Sequence, residues 1–336
     1  MKNCIVFLLL AFVFTSCIKE LKSDVVSISD RKILINKNPY LIKGICYHPV
    51  PKGSDSRDFS NLKEDLALMK EAGINTIRVY EPIEDVKVLD AMDKASMKVI
   101  IGFGYNQGGK NDILSGTFID YVNQFKNHNA ILMWELGNEY NYHPEWFEND
   151  IKNWYAAMNS AAKMIHNTDK NHPTTTAHGE LPDALALKMS SNIDVWGMNV
   201  YRWDNPEEIF SQWKTISNKP MYLSEAGGDS YMTITKAGFE KGKNEKAQAV
   251  ATSKIVKSVF SNKEISSGVA LFSFTDGWWK AGDNTIQDIG GWAPNSSGVP
   301  YDGAPNEEFW GIVTIDRKKK EAFGVVKELY LKEQNN

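Results

Sequence analysis

Between residues 41 and 331 the chain repeats one alternation eight times: a short apolar run, then a stretch with helical spacing of apolar positions. The apolar runs are residues 41–48, 76–80, 99–103, 131–139, 174–178, 195–201, 221–225 and 269–274. The helical stretches that follow them are 59–73, 86–95, 118–126, 146–166, 184–189, 206–216, 246–260 and 323–331. Runs that are apolar at successive positions suit strands buried on both faces, as in parallel sheets. Eight strand–helix units in order predict a (β/α)8 TIM barrel, class α/β. A doubly wound open sheet is the alternative, but no glycine-rich phosphate loop follows the first strand. A hydrophobic content of 42% over 336 residues supplies the core. Residues 25–334 are read as one domain.

Ahead of the first unit, VVSIS and KILIN flank Asp30-Arg31 and read as a short N-terminal β-hairpin, placed across the bottom of the barrel. The first 16 residues read as a targeting signal: a basic start at Lys2, an apolar run over 4–14, then Thr15-Ser16-Cys17. Small residues before a cysteine resemble a bacterial lipoprotein signal, although Phe14 stands where leucine is usual. Cys17 is then the lipidated residue, residues 17–24 a tether, and the location the cell envelope, at the outer membrane or cell surface. An ordinary secretory signal is the alternative.

Net charge is −4, so nucleic acid is not an expected partner. The basic run 317–320 is expected on a solvated turn. Once Cys4 and Cys17 are set aside with the signal, Cys46 is a lone thiol, so no internal disulfide forms. With no His-Glu-x-x-His and no paired cysteines, neither a catalytic transition metal nor a cofactor is expected. Asp276, Asp283 and Asp288 fit no calcium loop and read as solvated. His128, His143, His166 and His172 read as surface residues.

In a barrel the polar residues at strand C-termini converge on one site. Here they include His48, Arg78, Tyr80, Tyr105, Asn138, Glu139, His178, Asn199, Tyr201, Glu225 and Trp278. The fourth run, ILMWELGNEY, is the most pointed: four apolar residues end in Asn138 and Glu139. Two carboxyl groups on separate strand ends suit glycoside hydrolysis, where one protonates the leaving oxygen and the other attacks the anomeric carbon or activates water. Glu135 reads as an inward salt-bridge partner. His48 and His178 read equally as sugar ligands or as rim residues bonded to protein. The irregular stretch 277–321 carries Trp278, Trp279, Trp292 and Trp310, rings on which a sugar can pack, and a connection that long is usually functional.

WELGNE on the fourth strand and LSE on the seventh resemble the retaining glycosidases of clan A. NTIRVY, DVWGMNVYRW, KPMYLSEAGGDSY and the tail FSFTDGWW…EEFWGIV are similar to the barrel domain of family 2 glycosidases. The first three also resemble the family 72 β-1,3-glucanosyltransferases. The resemblance implies Glu139 as general acid/base and Glu225 as nucleophile. It implies Asn138 on the sugar 2-hydroxyl, Arg78 and Tyr201 holding Glu225, and Trp278 or Trp279 flooring the subsite of the reacting sugar. The expected partner is a carbohydrate, with a β-1,3-glucan as the specific expectation. Three activities stay open: hydrolysis, transglycosylation with the same residues, and glycan binding without turnover. Typical family 2 enzymes carry β-sandwich domains before the barrel, where this sequence has the predicted hairpin, so family 2 substrate preferences are not carried over. The cysteine pairs and C-terminal module of many family 72 members are not matched either.

Overall fold

A computed structural model describes residues 23–105, 108–202, 205–291 and 302–333. The expected signal over residues 1–16, the expected lipidation site Cys17, and Trp292 lie outside the described residues. Among those described, no helix is long and apolar enough to cross a membrane.

The eight barrel strands are β1 (Ile42–Cys46), β2 (Thr76–Val79), β3 (Lys98–Phe103), β4 (Ile131–Asn138), β5 (Thr174–Gly179), β6 (Val195–Asn199), β7 (Met221–Ala226) and β8 (Ser266–Leu271). Each pairs in parallel with its sequence neighbours, and β8 pairs with β1, so the sheet closes. Closure leaves no strand edge, which rules out the open-sheet alternative. The helices are α1 (Leu62–Glu71), α2 (Val86–Lys94), α3 (Phe118–Phe125), α4 (Ile151–Thr168), α5 (Ala184–Met189), α6 (Glu208–Ile216), α7 (Glu245–Ser261) and α8 (Glu321–Lys332). Side chains of Asp85, Asp150, Asp183 and Asn244 cap α2, α4, α5 and α7 by accepting from first-turn amides. The expected start of α4 at residue 146 is corrected. Trp146 belongs to a separate 3-10 turn, Pro144–Phe147, and left-handed Glu148 and Asn149 break the chain before Asp150 caps the helix.

The N-terminal element has three antiparallel strands, Val26–Ser29, Lys32–Ile35 and Asn38–Tyr40, not the two of a hairpin. The extra reversal is made by Asn36 and Lys37, both at positive φ, as tight hairpin turns require. Val26 and Ile33 pack against Ile42, Ile100, Leu132 and Tyr222, so this sheet plugs the N-terminal mouth of the barrel. The opposite mouth is left for the site.

The basic run 317–320 is only half solvated: Lys318 and Lys319 are exposed, but its two ends are not. Arg317 reaches fully buried Asp65 at 2.9 Å, and buried Lys320 meets buried Asp276 at 2.5 Å. Asp276 is therefore a buried anchor and not a solvated loop residue. Burial pushes its carboxyl up, and Lys320 opposes that. These two ion pairs tie the last part of the long connection after β8 to α1 and to the start of that same connection. His172 also departs from expectation: it is 4% exposed and bonded to Asp169 at 2.8 Å.

Candidate active site

Strict alternation along β4 would place Glu135, Gly137 and Glu139 on one side and Asn138 on the other. The strand breaks that rule. Its register against β5 shifts between Glu135 and Asn138, and Gly137 sits at φ +71°. Only glycine suits this position, because a Cβ there would lie 2.4 Å from the Trp154 ring. The shift brings both Glu135 and Asn138 onto Arg78. A second shift on β7, between Leu223 and Glu225, lets Ser224 and Glu225 both reach inward partners. Bulges of this kind re-aim side chains beside functional sites.

Arg78 is fully buried at the centre of the mouth. Its Nε and Nη2 donate to Glu135, Nη2 also to Asn138 Oδ1 at 2.8 Å, and Nη1 to Glu225 Oε1 at 2.8 Å. Glu135 is thus the salt-bridge partner the sequence suggested, and Tyr222 also donates to it. Glu225 accepts from Tyr80 at 2.7 Å on Oε1 and from Tyr201 at 2.5 Å on Oε2. Burial first, and the charge of Glu225 among the other causes, push both phenols up, so they stay protonated as donors. All three bonds to Glu225 are donated to it, the pattern of an ionised carboxylate.

Glu139 has a different setting. Its backbone is left-handed at φ +57°, and Oε1 accepts from Asn199 Nδ2 at 3.0 Å. Burial, and then the charge of Glu225, push its carboxyl up to about 7. Asn199 is itself fixed: its Oδ1 accepts from Ser224 at 2.7 Å, and its Nδ2 also donates to Asn138 Oδ1 at 3.1 Å. A continuous chain of bonds therefore runs Glu139, Asn199, Asn138, Arg78, Glu225. With Oδ1 of Asn138 occupied twice, its amide hydrogens remain for a ligand.

Glu139, Glu225 and Asn138 line one cavity of about 470 Å3, together with His48, Tyr80 and Tyr201. Its far wall comes from the segment after β8: Phe272 and Ser273, joined by a cis peptide, then Trp279, Lys280 and Trp310. Trp310 meets Tyr201 edge-on with centroids 5.1 Å apart. His48 packs on Trp279 at 4.9 Å and keeps a buried Nδ1 with no protein partner. Burial and then Arg57 push its imidazole down to about 4, so it is neutral at ordinary pH.

Three expected residues lie elsewhere. Trp278 is not in the cavity wall; its ring lies under Lys52 Nζ at 4.4 Å. Tyr105 lines a neighbouring cavity that shares Tyr80 and Glu81 with the first. His178 is buried against α4, with Nε2 3.3 Å from Tyr155 and Nδ1 3.0 Å from the Glu180 carbonyl. The reason is parity. Thr175 pairs in register with inward Glu135, so His178, three places on, points outward. Asn199 and Trp310 were expected near the site from their places at a strand end and in the long connection, whereas Lys280 and Glu307 of that connection were not.

Comparison with known proteins agrees with this architecture. The family model "Glycosyl hydrolases family 2, TIM barrel domain" matches residues 26–335. A β-glucuronidase of Bacteroides fragilis is 27% identical over 169 residues, covering 45% of this chain and 23% of that protein. The 1,3-β-glucanosyltransferase gas5 of Schizosaccharomyces pombe is 25% identical over 224 residues, covering 56% of this chain and 43% of that protein. Among solved structures, the family 2 β-galacturonidase of Eisenbergiella tayi bound to galacturonate superposes with a TM-score of 0.69 at 21% identity, covering 92% of this chain and 54% of that one. The chain thus spans about half or less of the length of these proteins, and at that identity the structural likeness speaks to fold alone. The match over nearly the whole described barrel places the chain in glycosyl hydrolase family 2, as its TIM-barrel domain.

Proposed function

We propose that this barrel is a retaining β-glycoside hydrolase that works by double displacement, with Glu225 as nucleophile and Glu139 as general acid/base. One observation carries the reading: two carboxyl groups share a cavity but sit in opposite settings. Glu225 accepts from a guanidinium and two phenols, while burial and the charge of Glu225 keep Glu139 protonated up to about pH 7. Pairs of acids whose surroundings pull them apart mark acid and base roles.

In the first step a Glu225 oxygen attacks the anomeric carbon. The bond to the leaving oxygen breaks, and Glu139 gives its proton to that oxygen. The product is a glycosyl ester on Glu225 and a Glu139 carboxylate. In the second step Glu139 takes a proton from water, the resulting hydroxide oxygen attacks the same carbon, and the ester bond to Glu225 breaks. Asn138 Nδ2 is placed to donate to the sugar 2-hydroxyl, a bond that strengthens in the transition state. Trp279 and Trp310 offer ring faces to the sugar.

Two inversions restore the starting configuration. Proton NMR during turnover of an aryl β-glycoside should therefore show the β-anomer of the free sugar first. Initial release of the α-anomer contradicts the mechanism. The substrate we favour is a β-1,3-glucan, supported by the likeness to the glucanosyltransferase. That likeness also keeps transglycosylation as the second reading, since a sugar hydroxyl can replace water in the second step. Product analysis at high acceptor concentration separates the two.

A further inference from the structure

We infer that the sugar this cleft accepts is neutral and that uronic acids are excluded by charge, an inference that rests on the glycosidase reading above. Ionisable side chains around the cavity are strongly unbalanced. Asp55, Glu81 and Glu307 join Glu139 and Glu225 in its wall, against Lys280 as the one Lys or Arg lining it among the described residues. The internal segments that are not described, 106–107, 203–204 and 292–301, contain no Lys or Arg.

Lys280 is also committed. Its Nζ lies 3.3 Å from Glu307 Oε2, 4.6 Å from the Phe272 ring and 5.2 Å from the Trp279 ring. Arg78, behind the floor, is fully buried and spends its donors on Glu135, Asn138 and Glu225. Arg57 is paired with Glu81 at 3.1 Å. His48 adds no positive charge, since burial holds its imidazole at about 4. A sugar carboxylate entering here leaves water without finding an uncommitted cation, and it meets Asp55, which has no Lys or Arg partner among the described residues, beside Glu307 and Glu81, which already hold Lys280 and Arg57.

The same wall suits hydroxyl groups. Carboxylates in the wall accept from sugar O–H donors. Trp279, Trp310 and Phe272 supply apolar faces. A neutral hexose or pentose presents both kinds of surface.

The test compares sugars that differ only at C6. With full-length protein, kcat/KM is measured for aryl β-glucoside against aryl β-glucuronide, and for β-galactoside against β-galacturonide. Binding of the same pairs to Glu225→Gln is measured by titration calorimetry, so that discrimination is read even where turnover is slow. The expected result is a preference for the neutral member of about a hundredfold or more, the usual scale for an uncompensated charge. A second arm frees Lys280: Glu307→Gln should move the ratio toward the uronide by about tenfold. Preference for the uronide by the wild-type protein overturns the inference while leaving the glycosidase reading intact. An unmoved ratio in Glu307→Gln overturns the role given to the Lys280–Glu307 pair. If no sugar of either kind binds or turns over, the glycosidase reading fails and takes this inference with it.

Discussion

Glu225→Ala should lose turnover of an aryl β-glycoside by on the order of 10^4-fold or more, and azide should restore part of it. The carboxylate of Glu225 is the group that forms the covalent ester, and nothing beside it can substitute. Its three donors, Arg78, Tyr80 and Tyr201, all point at it. Truncation to alanine leaves a small space beside the anomeric carbon, with the guanidinium still in place. An azide ion fits the space and the charge, and attacks in place of the carboxylate. Glu139 still protonates the leaving oxygen, so the product should be the α-glycosyl azide, one inversion from the substrate. Full activity in Glu225→Ala without azide removes Glu225 from the mechanism.

The second large effect belongs to Glu139. To act as an acid it must carry its proton, and burial together with the charge of Glu225 raises its carboxyl to about 7. It is therefore protonated below that pH and loses its proton above it. The wild-type kcat/KM should be level near neutrality on the acidic side and fall about tenfold per unit above pH 7. Glu139→Gln cannot give up a proton. Turnover of substrates with poor leaving groups should fall by about 10^2 to 10^4, and substrates with activated aryl leaving groups should lose less in the first step. The alkaline fall should vanish from the pH profile in that variant. A profile with the same fall in Glu139→Gln assigns the titration to another group.

The barrel was readable because its eight strands and helices carry their periods plainly, and the pairing of β8 with β1 then decides for closure over an open sheet. Arg78 and Glu225 stand out for a related reason: a charged residue on an otherwise apolar strand has to find a partner. What the sequence concealed has physical causes. Register shifts on β4 and β7 break the alternation that sequence reading depends on, so neither the joint grip of Arg78 on Glu135 and Asn138 nor the turn of Glu225 could be counted off. Of the two readings of His178, bonding to protein is the one the structure shows, and one-residue parity on its strand decides it. Arg317 and Lys320 look like surface charge until Asp65, 252 positions away, and Asp276 are seen buried against them. The wall formed by Lys280, Glu307 and Trp310 comes from an irregular connection with no period to read. The third N-terminal strand hung on Asn36-Lys37, a turn signal without the glycine that usually announces it.

The double-displacement mechanism stands or falls on which atom of the protein becomes bonded to the sugar. A mechanism-based 2-deoxy-2-fluoro β-glycoside slows breakdown of the glycosyl-enzyme more than its formation, so the intermediate accumulates. Peptide mass mapping of the inactivated protein should find one sugar mass on the peptide containing Glu225, on that side chain, and none on Glu139. Inactivation with the label on any other residue contradicts the assignment.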